Sequence, residues 1–355
     1  MFLAWNEIKK NKLRFTLIIG VLMLVSYLVF FLSGLAKGLE NMNRESVDKW
    51  EATSIVLTEE SDKSLSQSSM ILDDVYDVDA KEMAVIGQIN AIASNETGKK
   101  NVSIFGIRDD EFIMPNVTEG KAFTNDNEVI ANDSLKQEGF KLGDELQLSS
   151  SDEVLTIVGF TDEARFIAAP VLYGDLATFQ RVKFGEAAEV NESHINGIVV
   201  REGDAAAVTQ NAAFENIEIE TFIRSLPGYS EQNLTLTLMI YFLFGVSSVI
   251  VAIFLYVLTV QKISMFGVMK AQGISNRYLA NSVIAQTFLL AAIGVTVGFG
   301  LALLTGAFLP DVVPVAFDIG TMLIYGLVLI VVAIAGAVFS VLTIVRIDPL
   351  KAIGG

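Results

Sequence analysis

Four stretches of this chain, residues 15–36, 236–260, 282–309 and 319–345, contain no Asp, Glu, Lys or Arg. A helix crossing the roughly 30 Å hydrocarbon layer of a bilayer needs about 20 predominantly apolar residues, whereas apolar runs of about 10–14 belong to buried core helices. Each stretch exceeds the membrane requirement, so the sequence predicts four transmembrane helices. Composition points the same way: 52% of the 355 residues are hydrophobic and 19% are charged, against about 25% charged in an average soluble domain.

Charge then orients the chain. Lys9, Lys10, Lys12 and Arg14, against Glu7, precede the first stretch; Lys262, Lys270 and Arg277, with no acid, lie between the second and third; Arg346 and Lys351, against Asp348, follow the fourth. Short basic segments stay in the cytoplasm, which puts residues 261–281 and both termini, 1–14 and 346–355, on that side. Residues 37–235 hold 16 basic and 37 acidic side chains, a net −21, and the turn 310–318 holds only Asp311 and Asp318. Both are expected outside, across the cell membrane. The first stretch has the basic flank and the small residues Ser33-Gly34-Leu35-Ala36 of a cleavable signal. It is longer than the ~7–15 apolar residues of such signals and is read as a retained anchor. Before it, Phe2, Trp5 and Ile8 recur every three residues beside the lysines, the pattern of a short helix lying in the interface.

Residues 37–235 read as an extracytoplasmic α+β domain with helical stalks. Residues 38–50 continue the first helix beyond the bilayer. Short alternating runs follow (SIVL, VSIFGI, EVIA, DELQL, EVLTIVGF, AAPVLYG, NGIVV), separated by Asn, Gly and Asp clusters, which is the signature of strands and turns and predicts a small mixed sheet. Residues 175–183 and 204–211 read as helices. The one histidine, His194, is expected at the surface in a loop. With no cysteine in the chain, packing alone must hold this domain.

No catalytic engine is visible. A GxxxxGK[ST] phosphate loop is absent, and Gly98-Lys99-Lys100 lacks both the upstream glycine and the hydroxyl residue; no HExxH or GxSxG occurs. The charge-free helices also lack the ionisable groups that ion-coupled transport uses. The chain is therefore expected to be non-catalytic and to draw its energy from a partner. One segment is suited to meet one: QKISMFGVMKAQG at 261–273. Its apolar residues fall on more than one face of a helix, so more than one face needs cover, either from the bilayer interface or from another protein. Gly273 supplies a C-cap.

This segment resembles the cytoplasmic loop of the FtsX-like, MacB-type ABC transporter permeases, through Gly267, Lys270, Ala271 and Gly273 in register; Ser264 stands where the family has a glutamate. The ending IDPLKAIGG is similar to the family's tail through Pro349 and Ala352, and EVIANDSLKQEGFKLGDELQL, with Gly143-Asp144 at a turn, to its external sheet. The order of one helix, a large external domain and three helices is also the family's. Within it, the loop and tail look most like the haem-export permeases of Gram-positive bacteria.

The resemblance implies a homodimer carrying two separate cytoplasmic ATPase subunits, which hold the ATP and Mg. Each ATPase groove would take the cytoplasmic helix through Gln261, Lys262, Ser264, Phe266, Gly267, Lys270, Ala271 and Gly273. Closure of the ATPases would move the first two helices and the external domain, with membrane lipid and no nucleic acid as surroundings. Gly294, Gly298, Gly300 and Gly336 permit close helix contact, read first as packing within one subunit, which leaves the first two helices for the seam. Haem, flat and amphipathic, would be met near the external ends of those helices. Tyr27, Phe31, Glu40, Met42, Tyr229, Glu231, Met239 and Tyr241 are the candidates there to stack on it or ligate its iron, against readings as belt aromatics or packing residues. The chain itself needs no cofactor and no protein-held metal. The alternatives are an exporter of a peptide antibiotic or lipid, and a signal transmitter that couples an ATPase to an external hydrolase or sensor.

Overall fold

A computed structural model describes residues 12–149, 151–191, 193–202, 211–261, 263–310 and 313–345. The interfacial helix expected at 1–14, the tail with Pro349 and Ala352, and the helix expected at 204–211 fall wholly or mostly outside these residues. The chain forms two compact units, Met1–Gly38 with Asn233–Gly355, and Leu39–Gln232.

The helical unit is built from α1 (Lys12–Asp48, whose last turns belong to the other unit), α5 (Tyr229–Val260), α6 (Ile263–Ala271), α7 (Asn276–Phe308) and α8 (Ile319–Val345). α1, α5, α7 and α8 are long and apolar enough to cross a membrane. The helices overrun the charge-free stretches: α1 continues to Asp48 and α5 starts at Tyr229, because the flanking residues stay helix-compatible after the hydrocarbon-length segment ends.

Small residues set how α7 meets α1. A Cβ on Gly294 would lie 2.7 Å from the Leu22 Cβ, and one on Gly298 would lie 2.2 Å from Ser26 Oγ and 2.8 Å from the Met23 carbonyl oxygen. Ser26 Oγ, 2.7 Å from the Leu22 carbonyl of its own helix, is also 3.2 Å from the Gly294 carbonyl. Gly336 brings α8 against α5 at Ser248 and Ala252. These glycines thus pack helices within one chain. Outside them, Phe317 of the α7–α8 turn fits between Gly34 and Gly306, and the Ala316 N–H donates to the Gly34 carbonyl at 2.9 Å.

The other unit contains thirteen strands among the described residues. They are β1 (Ser54–Thr58), β2 (Met70–Ile71), β3 (Glu82–Ser94), β4 (Lys99–Ile107), β5 (Glu119–Gly120), β6 (Glu128–Asn132) and β7 (Glu145–Leu148), then β8 (Ser151–Thr161), β9 (Arg165–Phe166), β10 (Ala169–Asp175), β11 (His194–Ile195), β12 (Gly197–Glu202) and β13 (Phe214–Glu218). Helices α2 (Ser134–Gln137), α3 (Leu176–Phe184) and α4 (Ile219–Ser225) accompany them. Eleven strands form one mixed sheet, with the path β13-β1-β12-β3-β4-β10-β6-β8-β5; β10/β4 and β6/β8 are parallel pairs and the rest antiparallel. The sheet is mixed as expected but not small.

Its longest member, β3, escaped the strand pattern. Ala84 and Ile86 enter the core around Trp50, Phe105, Tyr173 and Phe222, while Val85 between them enters a second core with Phe179 and Ile198. Burial on both faces erases the polar alternation that marks a strand. Gly87 and Gly106 lie opposite each other on β3 and β4 and form the flat seat for the Phe179 ring of α3; a Cβ on either would lie 2.3 Å from that side chain. Asp175 caps α3 by accepting from the Ala177 N–H at 2.8 Å.

The expectation for His194 is corrected. It lies in β11, is buried, stacks on Phe179 and meets Phe184 edge-on at 4.9 Å, with Lys183 Nζ 2.8 Å from its Nε2. Neighbours supplied by α3 close over it, and sequence distance hid them. Burial first, then the Lys183 charge, pushes its pKa down to about 4. The unfolded chain, with the ordinary value near 6.5, therefore binds the proton more readily, so stability is complete above about pH 6.5 and is lost as pH falls toward about 4. Thermal melts of the full chain across that range should show this slope, and His194→Gln should flatten it. In the helical unit, Gly298→Ala should cost about 1–3 kcal/mol through overpacking. Gly300→Ala, where nothing lies within 4 Å of the new Cβ, should leave the melting temperature unchanged.

Candidate functional site

α6 is nine residues long, too short to persist in water on its own propensity, so packing must hold it. Phe266 is 6% exposed and sits against Leu279 and Val283 of α7, with Met269 and Ile274 filling the sides. The end is fixed by two hydrogen bonds: the Gly273 N–H donates to the Lys270 carbonyl at 2.9 Å and the Ile274 N–H to the Met269 carbonyl at 3.0 Å. With Gly273 at φ +88° and Ile274 against Met269, this is a Schellman motif with its apolar contact. Ser275 then caps α7, accepting from the Tyr278 N–H. Seat, cap and restart leave α6 little freedom to reorient.

The opposite face carries Ser264, Met265, Val268, Ala271 and Gln272, all exposed, at the spacing of one helical stripe. Met265 and Val268 are 42% and 44% exposed, an apolar pair flanked by the small Ser264 and Ala271, which let another backbone come close. Of the docking candidates, Gln261, Ser264, Ala271 and Gly273 are exposed and Lys270 is half-buried, while Lys262 lies outside the described residues. Phe266 and Gly267 are buried, so they form the seat of the helix and are withdrawn from the outward surface. Met265 and Val268 take their place. The signal for them was present as the apolar residues left over once Phe266 is assigned to one side.

The haem candidates divide between the units. In the helical unit, Tyr27 and Phe31 are half-buried, with rings 6.0 Å apart and 18° from parallel, and the Tyr27 hydroxyl lies 3.4 Å from Thr305 Oγ1. Met239 and Tyr241 stand exposed on α5, at 49% and 60%. They share that outward surface with Leu238, Phe242, Val249 and Ile253.

In the sheet unit, Glu40 and Tyr229 converge on Arg44. The guanidinium is 2.8 Å from Asp48, 3.1 Å from Glu220 and 3.5 Å from Glu40. It donates to the Tyr229 hydroxyl at 3.3 Å, which in turn donates to Glu40 at 3.3 Å. Both candidates are thus engaged within the protein, and iron could use either only after these bonds break. Met42 is half-buried and its carbonyl accepts from the Ala168 N–H at 3.0 Å; Glu231 is exposed. Arg44→Met removes the partner shared by three carboxylates and a phenol, and should lower stability by on the order of 1–2 kcal/mol in a full-chain melt.

Comparison with known proteins defines the class. The model of the MacB-like periplasmic core domain matches residues 15–215, and that of the FtsX-like permease C-terminal region matches residues 237–349. The chain belongs to the MacB/FtsX-type family of ABC transporter permeases: it is a membrane protein with an external domain, and as such a permease it works with ATPase subunits. A Staphylococcus epidermidis protein named hemin transport system permease protein HrtB is 27% identical over 100% of this chain and 99% of its own length. The protein of that name from Staphylococcus haemolyticus is 24% identical over the same shares. The periplasmic region of MacB from Actinobacillus actinomycetemcomitans is similar at 13% identity and a TM-score of 0.36, covering 49% of this chain and 92% of that one.

Proposed function

We propose that this chain is the non-catalytic permease subunit of a haem-efflux ABC transporter, acting as a homodimer with two cytoplasmic ATPase subunits that bind ATP and Mg. The observation that carries the reading is α6, a seated helix with a glycine C-cap that turns a small apolar stripe outward. A stripe of this kind fits a groove in a folded partner, where the Met265 and Val268 side chains lose their water, and small neighbours allow close approach. Both termini and α6 then lie in the cytoplasm and the sheet unit outside. Nucleotide-driven closure pulls on α6 and shifts α1 and α5, which each contribute residues to both units.

Haem as cargo is supported by the full-length likeness to proteins named for hemin transport. It is also supported by what α1 and α5 offer to an amphipathic ring entering from the outer leaflet. Tyr27 and Phe31 present stacked aromatic surface, and Met42, Met239 and Tyr241 are ligand types that iron accepts.

Two measurements test this reading. Val268→Asp or Met265→Asp should lower stimulation of the ATPase by about tenfold or more while membrane insertion persists; full stimulation would contradict docking through α6. Deletion of the chain should make cells sensitive to haemin. The purified protein should take up haem with a Soret band that Met239→Leu with Tyr241→Phe diminishes. Normal haemin tolerance with no Soret band would contradict the cargo and favour a transmitter without transport.

A further inference from the structure

The turn between α7 and α8 does more than connect them. Its residues 313–318 lie along the Gly38 end of α1 and are fixed there at three points. The Ala316 N–H donates to the Gly34 carbonyl at 2.9 Å. Gly38, one helical turn further on, has no room for a Cβ, which would fall on the Pro314 carbonyl. A Cβ on Gly34 would lie 2.5 Å from the Phe317 ring and 3.0 Å from a Val315 methyl. The same ring occupies the place of a Cβ on Gly306 of α7, so one side chain is wedged against two helices. The turn is tight within itself as well: the Val315 N–H donates to the Val313 carbonyl at 2.8 Å, and Asp318 caps α8 by accepting from the Gly320 and Thr321 N–H groups at 3.1 and 3.2 Å.

Position gives this clamp its meaning. Gly38 is the last residue of α1 in the helical unit, and the helix runs on unbroken to Asp48. Earlier in α1, Leu22, Met23 and Ser26 meet Gly294 and Gly298 of α7. α7 in turn begins at the seat of α6, where Phe266 packs on Leu279 and Val283. α1 is therefore joined to α7 at two levels, and α7 to α6. Small residues permit such close approach between membrane helices, and closely packed contacts pass a displacement on instead of absorbing it.

The geometry points to Phe317 as a positioning residue of the transport cycle. Its wedge makes α6, α7 and α1 move as one piece, so that a push received at α6 reaches the length of α1 beyond Gly38. This rests on the reading of α6 as the helix that docks the ATPase. The ring is the element that matters, because it touches α1 and α7 at once. Without it the polar tie that remains is the Ala316 N–H bond, and the Gly34 carbonyl that accepts it also serves the hydrogen-bond ladder of its own helix. The Gly38 end of α1 could then shift against α7 while α6 stayed seated, and the push would be lost between them.

The test measures the α1–α7 distance in the full chain in nanodiscs, without ATPase or haem. Nitroxide labels are placed at Ala36→Cys and at Phe308→Cys, the latter position 82% exposed, in a chain that has no other cysteine. Diluted with unlabelled chain, they should give one narrow distance by double electron–electron resonance. Phe317→Ala should broaden it and Phe317→Leu should not. Gly306→Ala, whose Cβ displaces the ring without opening a void, should broaden it as well. In cells that also carry the ATPase, Phe317→Ala should lose haemin protection while stimulation of the ATPase persists, a split that a folding defect would not produce. A distance that stays narrow in both Phe317→Ala and Gly306→Ala, or full haemin protection by Phe317→Ala, overturns the assignment. An unaltered chain that neither stimulates an ATPase nor protects cells would instead contradict the docking and cargo readings, and the label distances would still decide whether Phe317 is the clamp.

Discussion

Hydrocarbon offers no hydrogen-bond partners, so a segment that crosses it must satisfy its backbone internally and keep charge off its surface. Among the described residues, four helices meet that condition by length and composition. The sidedness proposed for the other elements rests on it. By the charge pattern, an even number of crossings is expected to put the basic segments opposite the acidic external domain, which is the basis for the proposal that α6 lies in the compartment where ATP is available. Once water is excluded, helix association has to come from close packing and from the few polar groups present, which is where the glycines enter.

Gly294 and Gly298 let α7 approach α1 until backbone meets side chain, and Phe317 fits between Gly34 and Gly306. These contacts use Gly294, Gly298, Gly34 and Gly306 inside one chain, whereas Gly300 stays open. Large apolar side chains remain outward on α5, with Phe242 at 73% and Ile253 at 57% exposed, as on α7 and α8, and such surface suits lipid or a second copy. α6 follows another logic. It is held by a single aromatic seat and a glycine cap, and it keeps a second apolar stripe in reserve. A helix satisfied on one side and open on the other is suited to pass a push from a partner into α7 without rearranging itself.

Much of this was legible in the sequence because the governing pattern is crude. Charge-free length identifies a membrane helix without knowledge of any neighbour, and the alternation in EVLTIVGF or the Asp175 cap of α3 is equally local. Features that depended on distant partners were not legible. β3 was invisible because both of its faces are covered, Ala84 and Ile86 by one core and Val85 by another. His194 looked like a surface residue because Phe179, Phe184 and Lys183 reach it from α3. In the candidate site the helix and its cap were readable from Gly273. Phe266 was placed on the outward surface because no local pattern says that Leu279 and Val283 will bury it. Glu40 and Tyr229 likewise read as open ligands until Arg44 was seen between them.

The chain contains no cysteine, so one introduced thiol reports without background. The most direct measurement places it at Ala271, on the exposed face of α6, and at Ser66 of the sheet unit for comparison, and treats whole cells with a membrane-impermeant maleimide. Labelling at 66 in intact cells, with labelling at 271 only after the membrane is opened, is the predicted outcome. A thiol at 271 that reacts in intact cells would place α6 outside, beyond the reach of any nucleotide-driven partner.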